Sequence, residues 1–304
     1  MADDRLILHH HEPSPFAEKI RLAFGIKRLA WSSVQIPMAM PKPDLTALTG
    51  GYRGTPVLQV GADIYCDSRL IVAELERRFP DPPLRRSGPL VNFGLQTWSD
   101  EAVFPPGAAL AMHEGAAAMP DGLLDERAAY FTDLNFERFG QDAPYFRQQL
   151  SAHAALIEAQ LADGRDYLLG EAPEWADIGA YFNLWMLGGH VASGPAILAD
   201  KPMLARWQGR MAAFGTGKRT ELTADEAIAI ARSAGLGDAP AGGEEVTVFP
   251  IAHPETVVTG TLTDSTDDEI IVRRHDERAG NLAIHFPRIG YRIEPTDRSR
   301  PPRV

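Results

Sequence analysis

The sequence predicts a chain of three parts: an α/β segment over residues 1–81, an all-α segment over 89–236 and a small β-rich segment over 244–304. Up to Phe79, short β-rich runs alternate with amphipathic helical patterns. From Leu90 to Ala234 apolar residues recur at helical spacing, and beyond Gly243 short β-rich runs are separated by Asp, Thr, Gly and Pro. The 44% hydrophobic content of the 304 residues is ample for cores in two or three domains.

In chain order, Leu6-Ile7-Leu8 reads as a strand, Glu12-Pro13-Ser14-Pro15 as a turn, and a helix follows through Ile20, Leu22, Ala23 and Phe24 to Gly25. Ser before Pro is the preferred N-cap and N1 pairing, so Ser14 is expected to cap this helix. A hydroxyl at that place is equally able to donate to a bound thiolate. After the Thr55-Pro56 step, Val57, Leu58 and Val60 form a strand, Gly61-Ala62-Asp63 a turn and Ile64-Tyr65-Cys66 a return strand, which together spell a hairpin. Asp67-Ser68 then opens a helix with apolar positions Leu70, Ile71, Ala73, Leu75 and Phe79, stopped by Pro80 and Pro82. Two readings of Asp67-Ser68 stand together. One is an ordinary N-cap; the other is an anion site where backbone N–H groups and the helix dipole converge. Beside an X-Pro step, the pair suits an extended peptide with a free carboxylate.

Residues 81–89, rich in Pro and Gly, read as a linker. Helical patterns follow at Leu90–Met112, Tyr145–Leu161, Trp175–Leu187, Met203–Phe214 and Ala224–Ala234, the last opened by a Thr223-to-Glu226 capping box. Between Glu114 and Ala143 the periodicity is poorer. After Ala239-Pro240-Ala241-Gly242-Gly243 the runs Val246–Ile251, Val257–Leu262, Ile270–Val272 and Leu282–Phe286 predict a small β-barrel or sandwich, whose strand count resembles an SH3 or Sm-type barrel without identifying a function.

Composition narrows the function classes. A formal net charge of -11 argues against nucleic acid, whose binding rests on Lys and Arg neutralising phosphates. Arg288, Arg292, Arg298, Arg300 and Arg303 cluster at the end but lack the aromatics of a stacking platform, and read as a solvated tail. Without a charged n-region followed by an apolar stretch, and without a bilayer-length apolar run, the chain is expected to be cytoplasmic with no membrane span. The single cysteine, Cys66, excludes an internal disulfide and a multi-cysteine metal site, and reads as a buried small hydrophobe. In His9-His10-His11, alternation along a strand puts His9 and His11 on one side. Two histidines without a carboxylate or cysteine pattern do not make a zinc set, so no metal is expected; a polar strand end is the better reading.

The motifs Ser14-Pro15-Phe16-Ala17-Glu18-Lys19-Ile20-Arg21, Lys42-Pro43-Asp44, Thr55-Pro56-Val57-Leu58 and Asp67-Ser68 resemble, in order and spacing, the soluble glutathione transferase superfamily. The resemblance covers roughly residues 5–235 and is of the Ser/Cys type, omega- and zeta-like, at Ser14. It implies a thioredoxin-like N-terminal domain, a cis Pro56, an all-helical domain and a homodimer. It further implies glutathione as cosubstrate. Ser14 would donate to its sulfur, Thr55 beside Pro56 would pair with its cysteinyl backbone as an added strand, Asp67 and Ser68 would hold the γ-glutamyl end, and Lys42 would face the glycyl carboxylate. A donor to the charged form at a helix N-terminus lowers the thiol pKa. A solvated loop lysine is the competing reading of Lys42. The acceptor pocket is expected near residues 114–143, with Phe16, His11, Trp98, Phe104 and His113 as lining candidates beside Met112 and Phe131; aromatics at helical spacing read equally well as core.

Two departures stand out. Asp67 replaces the usual Glu or Gln, one methylene longer, and Glu174-Trp175-Ala176-Asp177 replaces a Ser or Thr cap three residues before a buried Asp, which makes Asp177 structural. Two functions are therefore carried forward. The first is a glutathione transferase that attacks a small electrophile by conjugation, ether cleavage or peroxide reduction. The second is a transferase-fold interaction protein with weak or no catalysis that contacts partners through the C-terminal β segment.

Overall fold

The computed structural model describes residues 4–131, 134–239 and 242–296, which form two compact units. One comprises Met1–Ile20, Leu29–Arg78 and Lys218–Val304, the other Arg21–Arg28 and Phe79–Gly217.

The first unit is built on a thioredoxin-like core. Strand β1 (Ile7–His10) is followed by α1 (Pro15–Ile26), β2 (Ala30–Gln35), α2 (Pro43–Thr49), β3 (Val57–Val60), β4 (Asp63–Cys66) and α3 (Ser68–Arg78). β1 pairs parallel with β2 and antiparallel with β3, and the predicted β3–β4 hairpin closes antiparallel through Leu58↔Tyr65. The Thr55–Pro56 peptide is cis.

Later parts of the chain extend this core on both sides. β5 (Lys218–Glu221) pairs parallel outside β2, and Ser32 Oγ lies 3.1 Å from Thr220 Oγ1. Helix α11 (Ala224–Ser233), opened by the predicted capping box with Thr223 Oγ1 accepting the Glu226 N–H at 3.2 Å, packs Ala227 against Ile7 and Val34. The sequence pattern had grouped this helix with the all-α segment, but its apolar stripe finds its partner on the sheet.

The C-terminal strands β6 (Glu245–Pro250), β7 (Val258–Ser265), β8 (Glu269–Asp276), β9 (Gly280–Pro287) and β10 (Tyr291–Pro295) form a meander whose last strand returns beside the first. They do not stand apart as a separate barrel or sandwich. β9 pairs parallel with β4 (Ile64↔Ile284), the Ala283 N–H donates to Ala62 O at 3.0 Å, and among the described residues ten strands share one sheet in the order β10-β6-β7-β8-β9-β4-β3-β1-β2-β5. Beneath it, Leu48, Val57, Ile64 and Cys66 of the N-terminal part share one core with Val248, Val272, Ile284 and Phe286. Leu282–Phe286 is buried throughout, as befits a strand covered on both faces. Arg288 and Arg292 belong to this strand set: Arg288 Nε donates to Thr266 O at 2.9 Å, and Arg292 pairs with Glu294. Arg298, Arg300 and Arg303 of the expected tail lie outside the described residues.

A polar pin crosses the β4–β9 seam. His285 Nε2 lies 3.0 Å from Asp63 Oδ1 and Nδ1 2.7 Å from Glu269 Oε1, and its ring stacks on Tyr65 at 4.3 Å between centroids. Burial alone would push the imidazole pKa down; the hydrogen bonds and charges of Asp63 and Glu269 outweigh it and raise it.

The second unit is helical. α4 (Pro89–Trp98) runs through a π-helical turn at Ser99–Val103 into α5 (Phe104–Glu114), so the continuous pattern from Leu90 to Met112 becomes two helices. Pro105 and Pro106 lack the N–H groups that would continue the α-helical ladder. The poorly periodic region holds the short α6 (Leu123–Tyr130) between 3-10 turns at Ala116–Ala118 and Phe136–Arg138. α7 (Phe139–Gln160), α8 (Trp175–His190), α9 (Gly194–Leu198) and α10 (Pro202–Ala212) complete the unit. Asp177 is fully buried and structural, as predicted: it accepts the N–H of Leu168 at 2.8 Å, of Glu174 at 2.9 Å and Trp207 Nε1 at 2.9 Å. Glu174 turns its carboxylate to the Ser87 N–H and hydroxyl and to Asn92 Nδ2, which ties the 81–89 segment down.

Two outcomes follow from the seam. Deleting residues 244–304 exposes Ile64, Cys66 and their core neighbours, so the truncated chain is expected to lose cooperative melting; a calorimetric transition like that of the full chain would contradict this. His285, with its folded pKa raised above the unfolded value of about 6.5, contributes stability that is complete below that value and lost as pH rises through the folded pKa. The denaturant midpoint should fall as pH rises from about 6.5 through the raised folded pKa, and less in His285→Gln. His9, His153 and His190 are pushed down by burial, the opposite direction, so they do not produce this loss.

Candidate functional site

Every residue expected to hold glutathione lies in the first unit: Ser14, Lys42, Thr55, Pro56, Asp67 and Ser68. Ser14, 4% exposed, caps α1 by accepting the Ala17 N–H at 3.2 Å, while its own N–H donates to His11 O at 3.1 Å. The cap uses one oxygen lone pair and leaves the O–H as a donor. Both uses foreseen for this hydroxyl are thus compatible in one geometry.

Lys42 immediately precedes α2 and is 5% exposed, which removes the solvated-loop reading. Its carbonyl accepts the Thr46 N–H at 2.9 Å. Thr55 Oγ1 is buried without a hydrogen-bond partner among the described residues. Asp67 adopts a left-handed conformation, φ 77, at the mouth of α3. Its Oδ1 accepts the Arg69 N–H at 2.8 Å, and its Oδ2 lies 3.4 Å from the Tyr291 hydroxyl of β10. Ser68, 6% exposed, opens α3 behind it. The Asp67 carboxylate is thus already engaged by the protein's own groups.

Cys66 is fully buried, and burial, followed by the charge of Asp67, pushes its thiol pKa well above the ordinary value. It behaves as the small hydrophobe the sequence suggested. The histidine run closes β1 as a polar strand end, and within the strand it is buried. His9 and His10 are buried; His9 Nε2 meets Gln59 Oε1 at 2.8 Å, and desolvation, opposed by that bond, lowers its pKa to about 4. A neutral ring committed to Gln59 is a core element.

The anticipated acceptor-pocket residues divide between the units. His11 and Phe16 belong to the first, where Lys19 Nζ sits 4.3 Å from the Phe16 ring centroid. Trp98, Phe104 and His113 belong to the second. Trp98 Nε1 lies 3.3 Å from His153 Nδ1, Phe104 stacks on Phe182 at 5.9 Å, and His113 is exposed on α5. A concavity of about 400 Å³ in this unit is lined by Glu114, Gly115, residues 188–192 and Pro195. Tyr52 and Tyr291 escaped the sequence reading, for their hydroxyls meet across 239 residues and no local motif announces them.

Residues 8–83 match the family model of the glutathione S-transferase N-terminal domain. A GST-like protein from Pseudomonas syringae is 35% identical with a TM-score of 0.78, and the match covers 96% of this chain and 100% of that one. The C-terminal strands therefore fall within an architecture the two chains share. FtsZ-localized protein A of Caulobacter vibrioides is 29% identical over 185 residues, 58% of this chain and 75% of that protein. A glutathione transferase family member from Pseudomonas fluorescens pf-5, solved with two glutathione bound, shares the fold at a TM-score of 0.51 and 14% identity, over 69% of this chain and 89% of that one. The chain belongs to the glutathione transferase superfamily.

Replacing Ser14 with Ala should lower the unfolding free energy by about 1 kcal/mol through loss of the α1 cap, and Ser14→Gly by only a few tenths. Equal denaturant midpoints for wild type and Ser14→Ala would contradict the capping geometry.

Proposed function

We propose that this chain is a transferase-fold interaction protein, in which the N-terminal site takes glutathione weakly with little or no turnover and the C-terminal strands contact a protein partner. The observation that carries this reading is the Asp67 carboxylate. It is one methylene shorter than the family's usual residue and already accepts from Arg69, with the Tyr291 hydroxyl beside it, so a γ-glutamyl group must share an occupied acceptor. The C-terminal strands also present an exposed apolar pair, Ile251 and Ile289, 65% and 59% exposed. They are neighbours, since the Ile251 N–H donates to Gly290 O at 2.9 Å. Likeness to a protein named for localising with FtsZ supports a protein as the class of partner and makes FtsZ the first to try. A cytoplasmic location and a homodimer belong to this reading.

A second reading keeps catalysis. The buried Ser14 hydroxyl at the N-terminus of α1 supports a role as donor to the cosubstrate's sulfur, with a small electrophile as acceptor. When bound, glutathione would supply the nucleophilic thiol; Ser14, Thr55, Asp67 and Ser68 would orient it.

Calorimetry at millimolar glutathione, run beside a turnover assay with an aryl halide, separates the two. The interaction reading expects weak heat, no turnover, and binding to purified FtsZ that is lost in Ile251→Asp. Turnover that falls roughly 10²- to 10³-fold in Ser14→Ala would establish the catalytic reading instead.

A further inference from the structure

Tyr52 and Tyr291 form a bridge among three parts of the chain. Both phenols are 8% exposed and their hydroxyls are 3.2 Å apart. Phe286 packs against both rings, with centroids 6.1 Å from Tyr52 and 5.6 Å from Tyr291. On one side, Tyr52 lies against the backbone that leads into Thr55–Pro56: a Cβ at Gly54 would fall 2.4 Å from the Tyr52 hydroxyl, so a side chain there would displace the Tyr52 ring. On the other, the Tyr291 hydroxyl reaches Asp67 Oδ2 at 3.4 Å. A single O–H serves one acceptor at a time, and the carboxylate receives it when Tyr52 donates to Tyr291. Burial, then the neighbouring Tyr52 and Asp67, pushes the Tyr291 phenol well above its ordinary pKa, so it keeps its proton at neutral pH.

We propose that Tyr291 is a positioning residue of the peptide site: through it β10 holds the Gly54–Pro56 loop and the Asp67–Ser68 helix mouth in register. This rests on the proposed glutathione site. The consequence is regulation. Any partner that shifts β10 changes the affinity of the site, and by linkage a ligand at Asp67 changes the affinity for that partner by the same factor. Both hydroxyl separations are long for O–H···O bonds, so the link is soft and its effect modest.

The test is Tyr291→Phe in the full chain, which keeps the ring packing on Phe286 and removes only the hydroxyl. Amide hydrogen exchange at Gly54, Thr55, Ser68 and Arg69 should quicken several-fold, with the melting temperature and the amides of β1 nearly unchanged. Glutathione affinity by calorimetry should fall about 3- to 10-fold, the scale of one net hydrogen bond. A purely structural role for Tyr291 would move melting and exchange everywhere together, and that outcome overturns the proposal. So does exchange at the four amides indistinguishable from wild type. Absence of any glutathione heat in the wild type would sink the glutathione reading alone, because the exchange comparison still decides whether Tyr291 holds the two arms.

Discussion

Strand β4 would be the open edge of a thioredoxin-like sheet if β9 did not pair with it. A bare edge strand presents a row of unpaired N–H and C=O groups and invites pairing with other chains. Here both flanks of the core are closed from within the chain, β2 by β5 and β4 by β9. The pairing also brings Ile284 and Phe286 over Ile64 and Cys66, so the two sequence segments share one hydrophobic core and neither half of it is complete alone. At the seam His285 satisfies two carboxylates, one from each side.

This constraint reaches the candidate site directly. β4 leads without a break into Asp67 and Ser68, so the strand that receives the C-terminal meander is also the one that delivers the helix mouth. The same meander contributes Tyr291 beside Asp67. A short acidic residue backed by a tyrosine stands at the proposed γ-glutamyl contact. Ser14 stands at the other end of the site with its cap made and its O–H still able to donate. In the proposed site, one end thus keeps a free donor and the other is partly committed to the protein itself.

What the sequence made legible was local. The β3–β4 hairpin, the Thr223 capping box and the Ser14 cap each depend on neighbours a few residues away, and each stands as read, as does the structural Asp177, although its bonds also reach Trp207. The division into parts was harder to see, because the Gly- and Pro-containing break before residue 244 looks like a boundary while β9 beyond it pairs with β4, 220 positions back. β2 went unread since its buried residues include Ser32 and Ser33, whose polarity hides a covered strand. The histidine run was legible as a strand end but its burial was not, because the partners Gln59 and Ser33 that admit it to the interior are distant in sequence. The tyrosine bridge and the His285 pin had no signal at all, being made by contacts distant in sequence.

The claim most exposed to test is that the C-terminal strands and the N-terminal core open as one unit. Native-state hydrogen exchange measures this at the Ala283 amide, which donates across the seam to Ala62. The account predicts an opening free energy for that amide equal to that of the central amides of β1 and β3. Exchange of Ala283, with the rest of β9, through a separate and much cheaper opening would contradict it.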